Sequence, residues 1–142
     1  MKKIYILLFT SLMLSACQKS SVDKKEEGLI HYKKIVPIND VPIATLTFFD
    51  VNDSRCPEGG QCITAGNANI DLALDGVTTE GRITKHVKMC LGDCSNFQPD
   101  TLDEAFAGLK YRFILKAVNP YPKVNTANNK PAYNISLVIE KK

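Results

Sequence analysis

Lys110-Tyr111-Arg112-Phe113-Ile114-Leu115-Lys116-Ala117-Val118 sets Tyr111, Phe113 and Leu115 on one side of an extended chain and charged residues on much of the other. A period of two is the signature of a half-buried strand. The run Ala132 to Ile139 (AYNISLVI) repeats the pattern with Tyr133, Ile135, Leu137 and Ile139. Between them, Asn119 to Pro131 holds three prolines and many polar residues, so it must loop.

Working outward, the same rhythm recurs at short intervals. Ile43 to Val51 (IATLTFFDV) is rich in β-branched and aromatic residues and follows Pro42, which predicts a strand. Asn67 to Leu74 places Ala68, Ile70, Leu72 and Leu74 on one face, and Asp75-Gly76 then supplies a turn. Arg82 to Leu91 alternates again, with Ile83, Val87 and Met89 on the apolar side, and His31 to Val36 is a first, shorter candidate. Thr101 to Gly108 breaks the rhythm: Thr101 and Glu104 have capping-box spacing, Ala105, Phe106 and Ala107 favour helix, and Gly108 can end it. Six or so strands, one short helical turn and no βαβ alternation predict an all-β fold. The expected form is an immunoglobulin-like antiparallel β-sandwich, with a small β-barrel as the alternative.

The N-terminus has a different organisation. Lys2 and Lys3 precede an apolar run of eleven residues, Ile4 to Leu14, which ends in Leu14-Ser15-Ala16-Cys17. A helix needs about 20 apolar residues to cross the hydrocarbon core, so this run does not span it. The segment resembles the signal peptide and lipobox of bacterial lipoproteins. That resemblance implies cleavage before Cys17 and acylation of Cys17, each acyl chain contributing ~0.8 kcal/mol per buried methylene to membrane attachment. The expected division is residues 1–16 as signal peptide, 17–28 as lipidated N-terminus and flexible tether, and 29–142 as one domain. Gln18 follows the cysteine in place of the aspartate that favours inner-membrane retention, so the expected address is the outer membrane, on its periplasmic or cell-surface face. Asp23, Lys24, Lys25, Glu26 and Glu27 loosely resemble an acidic and basic export signal of Bacteroidota lipoproteins, though a solvated linker explains them more simply.

Processing would also alter the charge balance. Formal charge is +3, but residues 1–16 carry two lysines, which leaves 16 basic against 15 acidic residues in the mature chain. Without a concentrated basic face beyond pairs such as Lys33 and Lys34, a nucleic-acid partner is not expected.

Four cysteines remain once Cys17 is set aside: Cys56 and Cys62, then Cys90 and Cys94. An even number in an oxidising compartment predicts disulfides, and the short spacings favour the local pairs, each contributing about 2 kcal/mol by loop-closure entropy. A four-thiolate zinc site or a catalytic dithiol competes with that reading. The gap between Cys56 and Cys62 is wide for zinc, and neither spacing is Cys-x-x-Cys.

Asp53-Ser54-Arg55-Cys56-Pro57, then Cys62, then Ala65-Gly66-Asn67-Ala68 resembles a family of small lipoproteins and secreted domains found mainly in Bacteroidota. The resemblance continues through Tyr111-Arg112-Phe113-Ile114-Leu115 and Asn119-Pro120-Tyr121-Pro122 to the strand containing Tyr133. Members often carry a valine-tryptophan pair where this chain has Ile63-Thr64, and the Cys90 and Cys94 pair is an addition. The family supplies no catalytic residues to carry over.

Enzymatic signatures are sparse. His31 and His86 lie in strand-like segments near lysines and are expected to face solvent, while Asp103 and Glu104 are adjacent rather than opposed. No nucleophile elbow, zinc-protease motif or phosphate loop occurs. Asp50, Asn52 and Ser54 match the first three ligand positions of a calcium loop, but Arg55 replaces its glycine and Gln61 its bidentate glutamate. Asx-turns at a strand end explain these residues more simply.

The expectation is therefore a non-catalytic, lipid-anchored binding or structural module with no cofactor. Its membrane contact would be through the lipid, and its ligand an envelope protein or a glycan. The candidate contact loops are Asp53 to Gly66 and Pro120 to Pro131, with Asp53, Arg55, Gln61 and Tyr121 singled out. The alternative is metal-dependent or thiol-redox activity using the four domain cysteines.

Overall fold

The alternating segments build eight strands. In the computed structural model, which describes residues 26–94, 99–125 and 129–142, these are β1 (Glu26–His31), β2 (Ile35–Asn39), β3 (Ala44–Asp53), β4 (Asn67–Thr78), β5 (Gly81–Gly92), β6 (Thr101–Phe106), β7 (Leu109–Asn119) and β8 (Asn134–Lys141). They form two antiparallel four-stranded sheets, ordered β1-β8-β7-β6 and β2-β3-β4-β5. The sandwich expectation holds, and neither sheet closes into a barrel. Connectivity within each sheet is a meander, with β1 returning beside β8, rather than a Greek key.

The apolar faces read from the sequence meet between the sheets. Leu46, Phe48, Leu72, Leu74 and Met89 come from one sheet, and Tyr111, Phe113, Leu115, Ile135 and Leu137 from the other. Tyr111 and Phe113 stack with centroids 5.9 Å apart. Besides an irregularity between Pro37 and Asn39, the register shifts between Phe48 and Asp50 and between Leu115 and Ala117, where β-bulges reset the alternation. After the bulge in β3, Phe49 faces out and Val51 faces in, so the next inward position is Asp53.

Four local expectations need correction. The helical turn over Thr101–Gly108 is a hairpin: β6 pairs with β7, and Ala107-Gly108 turns between them with φ of 49° and 80°. Two consecutive positive φ values are what a tight hairpin needs. Glu104, instead of capping a helix, accepts a 2.6 Å hydrogen bond from Lys85 Nζ across the open edge of the sandwich. The described residues contain one helical turn, a 3₁₀ turn at Lys130–Ala132.

Asp75-Gly76 is not a turn either, because β4 runs on to Thr78. Gly76 is small for packing: a Cβ there would lie 2.8 Å from Phe106 Cε1. The strand expected over His31–Val36 is a corner, at which β1 leaves one sheet and β2 enters the other, with Lys33 at φ 59°. Finally, β1 begins at Glu26, so residues 26–28 of the expected tether are strand. The lipobox and Cys17 lie outside the described residues.

Antiparallel register gives the sandwich two unlike poles. At one pole are the corner at 32–34, the connection 54–66 and the described residues 93–94, 99–100, 120–125 and 129–133; this is the loop pole. At the other are the short turns at 40–43, 79–80 and 107–108, the start of β1 and the end of β8; this is the turn pole. The twelve-residue strands β4 and β5 separate the poles by about 40 Å at ~3.3 Å per residue.

Candidate functional site

Because the bulge turns Asp53 inward at the end of β3, its carboxylate enters the loop pole between the sheets. Oδ1 accepts hydrogen bonds from the Arg55 backbone N–H at 3.1 Å and from Arg55 Nε at 2.8 Å. Oδ2 accepts from Arg55 Nη2 at 2.6 Å and from the Tyr133 hydroxyl at 2.9 Å. The Asp53 and Arg55 side chains are only 1% and 8% exposed. Arg55 also donates from Nη2 to the Pro120 carbonyl at 3.1 Å and lies over the Tyr121 ring, 4.5 Å from its centroid.

Burial by itself would raise the Asp53 pKa. The hydrogen bonds from Arg55 and Tyr133, with the guanidinium charge, outweigh it and hold the carboxyl below its usual range. Burial also pushes the Tyr133 hydroxyl up, with help from the Asp53 carboxylate it bonds, to about 12. Asp53 is thus a fixed anion with its lone pairs occupied, not a proton acceptor for a substrate. Asp53 and Arg55, both expected in a candidate contact loop, bond each other in a largely buried brace beneath the exposed loop residues.

Backbone bonds complete the brace. Cys56 and Cys62 form a disulfide, the Cys56 N–H donates to the Ala65 carbonyl at 2.7 Å, and the Gly60 N–H donates to Pro57 at 2.9 Å. Gly66 is required here: its φ is +68°, and a Cβ would fall 2.0 Å from the Ser54 carbonyl oxygen. Glu58 and Lys123 form a parallel bridge, in which the Glu58 N–H donates to Pro122 at 2.9 Å and the Val124 N–H to Glu58 at 3.3 Å. The second disulfide, Cys90 with Cys94, holds the neighbouring connection, where the Asp93 N–H donates to Gly66 at 3.0 Å and Asn67 Nδ2 to the Asp93 carbonyl at 2.8 Å.

The two expected contact loops are therefore joined into one surface by Arg55, Tyr121 and the 58/123 bridge. Its exposed rim carries Gln61, Ile63, Tyr121, Lys123 and Val124, with Ile63 fully open to solvent. Gln61 sits on this rim, away from the Asp53 cluster. Such a surface presents apolar and hydrogen-bonding groups on a fixed backbone, which suits recognition.

Of the calcium-like residues, Asp50 and Asn52 share an outer groove, while Ser54 is engaged elsewhere. Asp50 accepts a 2.6 Å bond from Lys130 Nζ, which lowers its pKa, and a 3.3 Å bond from the Tyr32 hydroxyl. Ser54 Oγ donates to the Asn67 carbonyl at 3.0 Å, and Asn52 lies exposed in the ladder. Asp50, Asn52, Asn69, Asp71 and Lys88 line a shallow outer groove of about 320 Å³. His31 and His86 both face solvent, and His86 Nδ1 lies 2.9 Å from Asp71 Oδ1 with Phe49 edge-on to its ring.

Tyr133 and Lys130 were not apparent from the sequence as partners of Asp53 and Asp50, eighty residues away. Only the local half of the brace has a sequence cue, an aspartate at a strand end two residues before a hydrogen-bond donor. No family model, curated protein or solved structure matches the chain.

Proposed function

We propose that the chain is a lipid-anchored envelope protein whose sandwich acts as a non-catalytic binding module, with the rim from Glu58 to Ile63 and from Tyr121 to Val124 as its contact surface. The observation that carries this reading is the placement of the braced loops at the pole opposite the start of β1. A chain tethered through Cys17 would hold the domain by one end and offer the other. The compartment this reading assigns is the outer membrane, and its oxidising side suits the two disulfides. A protein or glycan of the envelope is the ligand class that fits a rim of apolar and amide side chains without a concentrated charge.

Two measurements test it. A palmitate analogue fed to expressing cells labels the wild-type protein and not Cys17→Ala, and the label fractionates with the outer membrane. In parallel, an envelope component captured by the tagged protein is lost when Ile63 and Val124 are both replaced by serine, while the unfolding midpoint stays in place. Labelling that survives Cys17→Ala, or capture indifferent to the rim changes, would refute the corresponding half of the reading.

A further inference from the structure

Exposed apolar side chains also gather at the turn pole. Val41 is 88% exposed, Ile43 61% and Val77 44%. The Val77 N–H donates to the Ile43 carbonyl at 3.1 Å, which fixes the two side by side. Ile43 and Val77, with Pro42, Ala107, Gly108, Thr78 and Thr79, line a shallow groove of about 550 Å³; a second groove, which also carries Thr45, Asp75 and Arg82, leads on to Ile35 on the outer face of the sheet. Tight turns are normally built from polar residues, Gly and Pro. This one presents valine and isoleucine to solvent between the buried Ile38 and Ala44. A contiguous apolar patch of this kind marks a contact.

The path of the chain says with what. β1 starts at Glu26, opposite Ile139. Two residues further along β8, Lys141 Nζ donates to Asn39 Oδ1 at 2.8 Å, and Asn39 Nδ2 donates to the Pro42 carbonyl at 2.8 Å. The N-terminal side of the chain therefore meets the domain beside the apolar turn. Nine residue steps separate Cys17 from Glu26, a reach of at most about 30 Å.

We propose that the turn pole docks onto the lipid surface, with Val41, Ile43 and Val77 seated in the bilayer interface and Arg82 at the edge of the patch among the headgroups. This rests on the reading of Cys17 as the lipid anchor. Acyl chains and apolar tip then form two attachments at one end, and the domain stands upright with its rim about 40 Å from the membrane, by the strand length above. A loosely hanging domain would have no use for an apolar tip there.

The chain contains no tryptophan, so a single introduced indole reports its own surroundings. Ile43→Trp, Val77→Trp and, at the loop pole, Ile63→Trp are prepared in lipidated protein extracted from membranes and reconstituted into phosphatidylcholine and phosphatidylglycerol vesicles, with and without brominated acyl chains. Mass spectrometry of the N-terminal peptide records whether Cys17 carries lipid. The expected result is blue-shifted emission at positions 43 and 77 that brominated chains quench, and water-exposed, unquenched emission at position 63. Lipid on Cys17 with no quenching at 43 and 77 overturns the docking and leaves the anchor standing. Emission that responds to protein density but not to bromine means a second copy covers the patch, and overturns it equally. An N-terminal peptide without lipid defeats the anchor reading and the docking together.

Discussion

Replacing Asp53 by alanine removes the acceptor of four hydrogen bonds, three from Arg55 and one from Tyr133. The guanidinium, 8% exposed, keeps only the Pro120 carbonyl and the Tyr121 ring. Breaking one side of a buried pair costs about 3–5 kcal/mol, because the remaining charge is left desolvated. At a pole rather than mid-core the lower figure applies, about 3 kcal/mol, or a fall of roughly 12 °C in Tm at ~4 °C per kcal/mol for a domain of this size. Asp103 is the internal control. It holds Arg112 through two hydrogen bonds at 2.7 and 2.8 Å, but the partners are 51% and 39% exposed. Asp103→Ala should leave the midpoint almost unchanged, since water replaces the partner. Urea unfolding followed by circular dichroism with the disulfides intact would measure both variants, and Asp53→Ala with Arg55→Ala together should cost less than the sum of the singles. If the Asp53 and Asp103 changes shift the midpoint equally, burial is not what gives the Asp53 pair its role and the brace argument is wrong.

Other outcomes follow from the same geometry. The Tyr111 hydroxyl is buried with no hydrogen-bond partner among the described residues, so Tyr111→Phe should be neutral or stabilising by about 1 kcal/mol; a clear loss in urea titration would mean that the hydroxyl has a partner. Gly76→Ala drives a methyl against Phe106 and should cost about 1–3 kcal/mol, and adding Phe106→Leu should recover part of it, as thermal melts of the single and double variants would show. Acid and base should act on one cluster from opposite sides. With a lowered native pKa, Asp53 contributes stability that is complete above its unfolded value near 3.9 and lost as pH falls through the native one. With a native pKa of about 12, Tyr133 contributes stability that is complete below about 10 and lost between there and 12, so alkaline unfolding of Tyr133→Phe should lack that component. Replacing Cys56 and Cys62 together by alanine should cost about 2 kcal/mol in calorimetry and expose the 56–66 loop to proteolysis.

The layers of this fold were legible wherever alternation is uninterrupted. Tyr111, Phe113 and Leu115, or Ala68, Ile70, Leu72 and Leu74, declare their inward face by spacing alone, and both disulfides follow from short loops in an even set. Legibility failed where a residue's role is set by something distant in sequence. Gly76 looks like a turn until Phe106 is placed over it, and Thr101 and Glu104 look like a helix cap until Lys85 and the strand partner of β6 supply other bonds. The surroundings of Asp53 and Arg55 were hidden for the same reason. Asp53 and Arg55 read as exposed loop residues because nothing local announces the bulge at Phe49, which turns Asp53 inward, or the hydroxyl of Tyr133 that meets it.

The pairing of β1 with β8 has a consequence for how this chain comes into being. Among the described residues, β1 has its single ladder neighbour in β8, more than a hundred residues later in the chain. Until β8 arrives, β1 is an orphan edge and its sheet lacks the strand that joins β1 to β7. The β2 to β5 meander, built from adjacent hairpins, has no such wait. By topology the β2 to β5 meander can thus pair before β8 is made, whereas closing the other sheet around β1 waits for Asn134–Lys141. A truncation that removes β8 would therefore leave β1 without a ladder partner and β7 with a bare edge, exposing backbone edges to any neighbour.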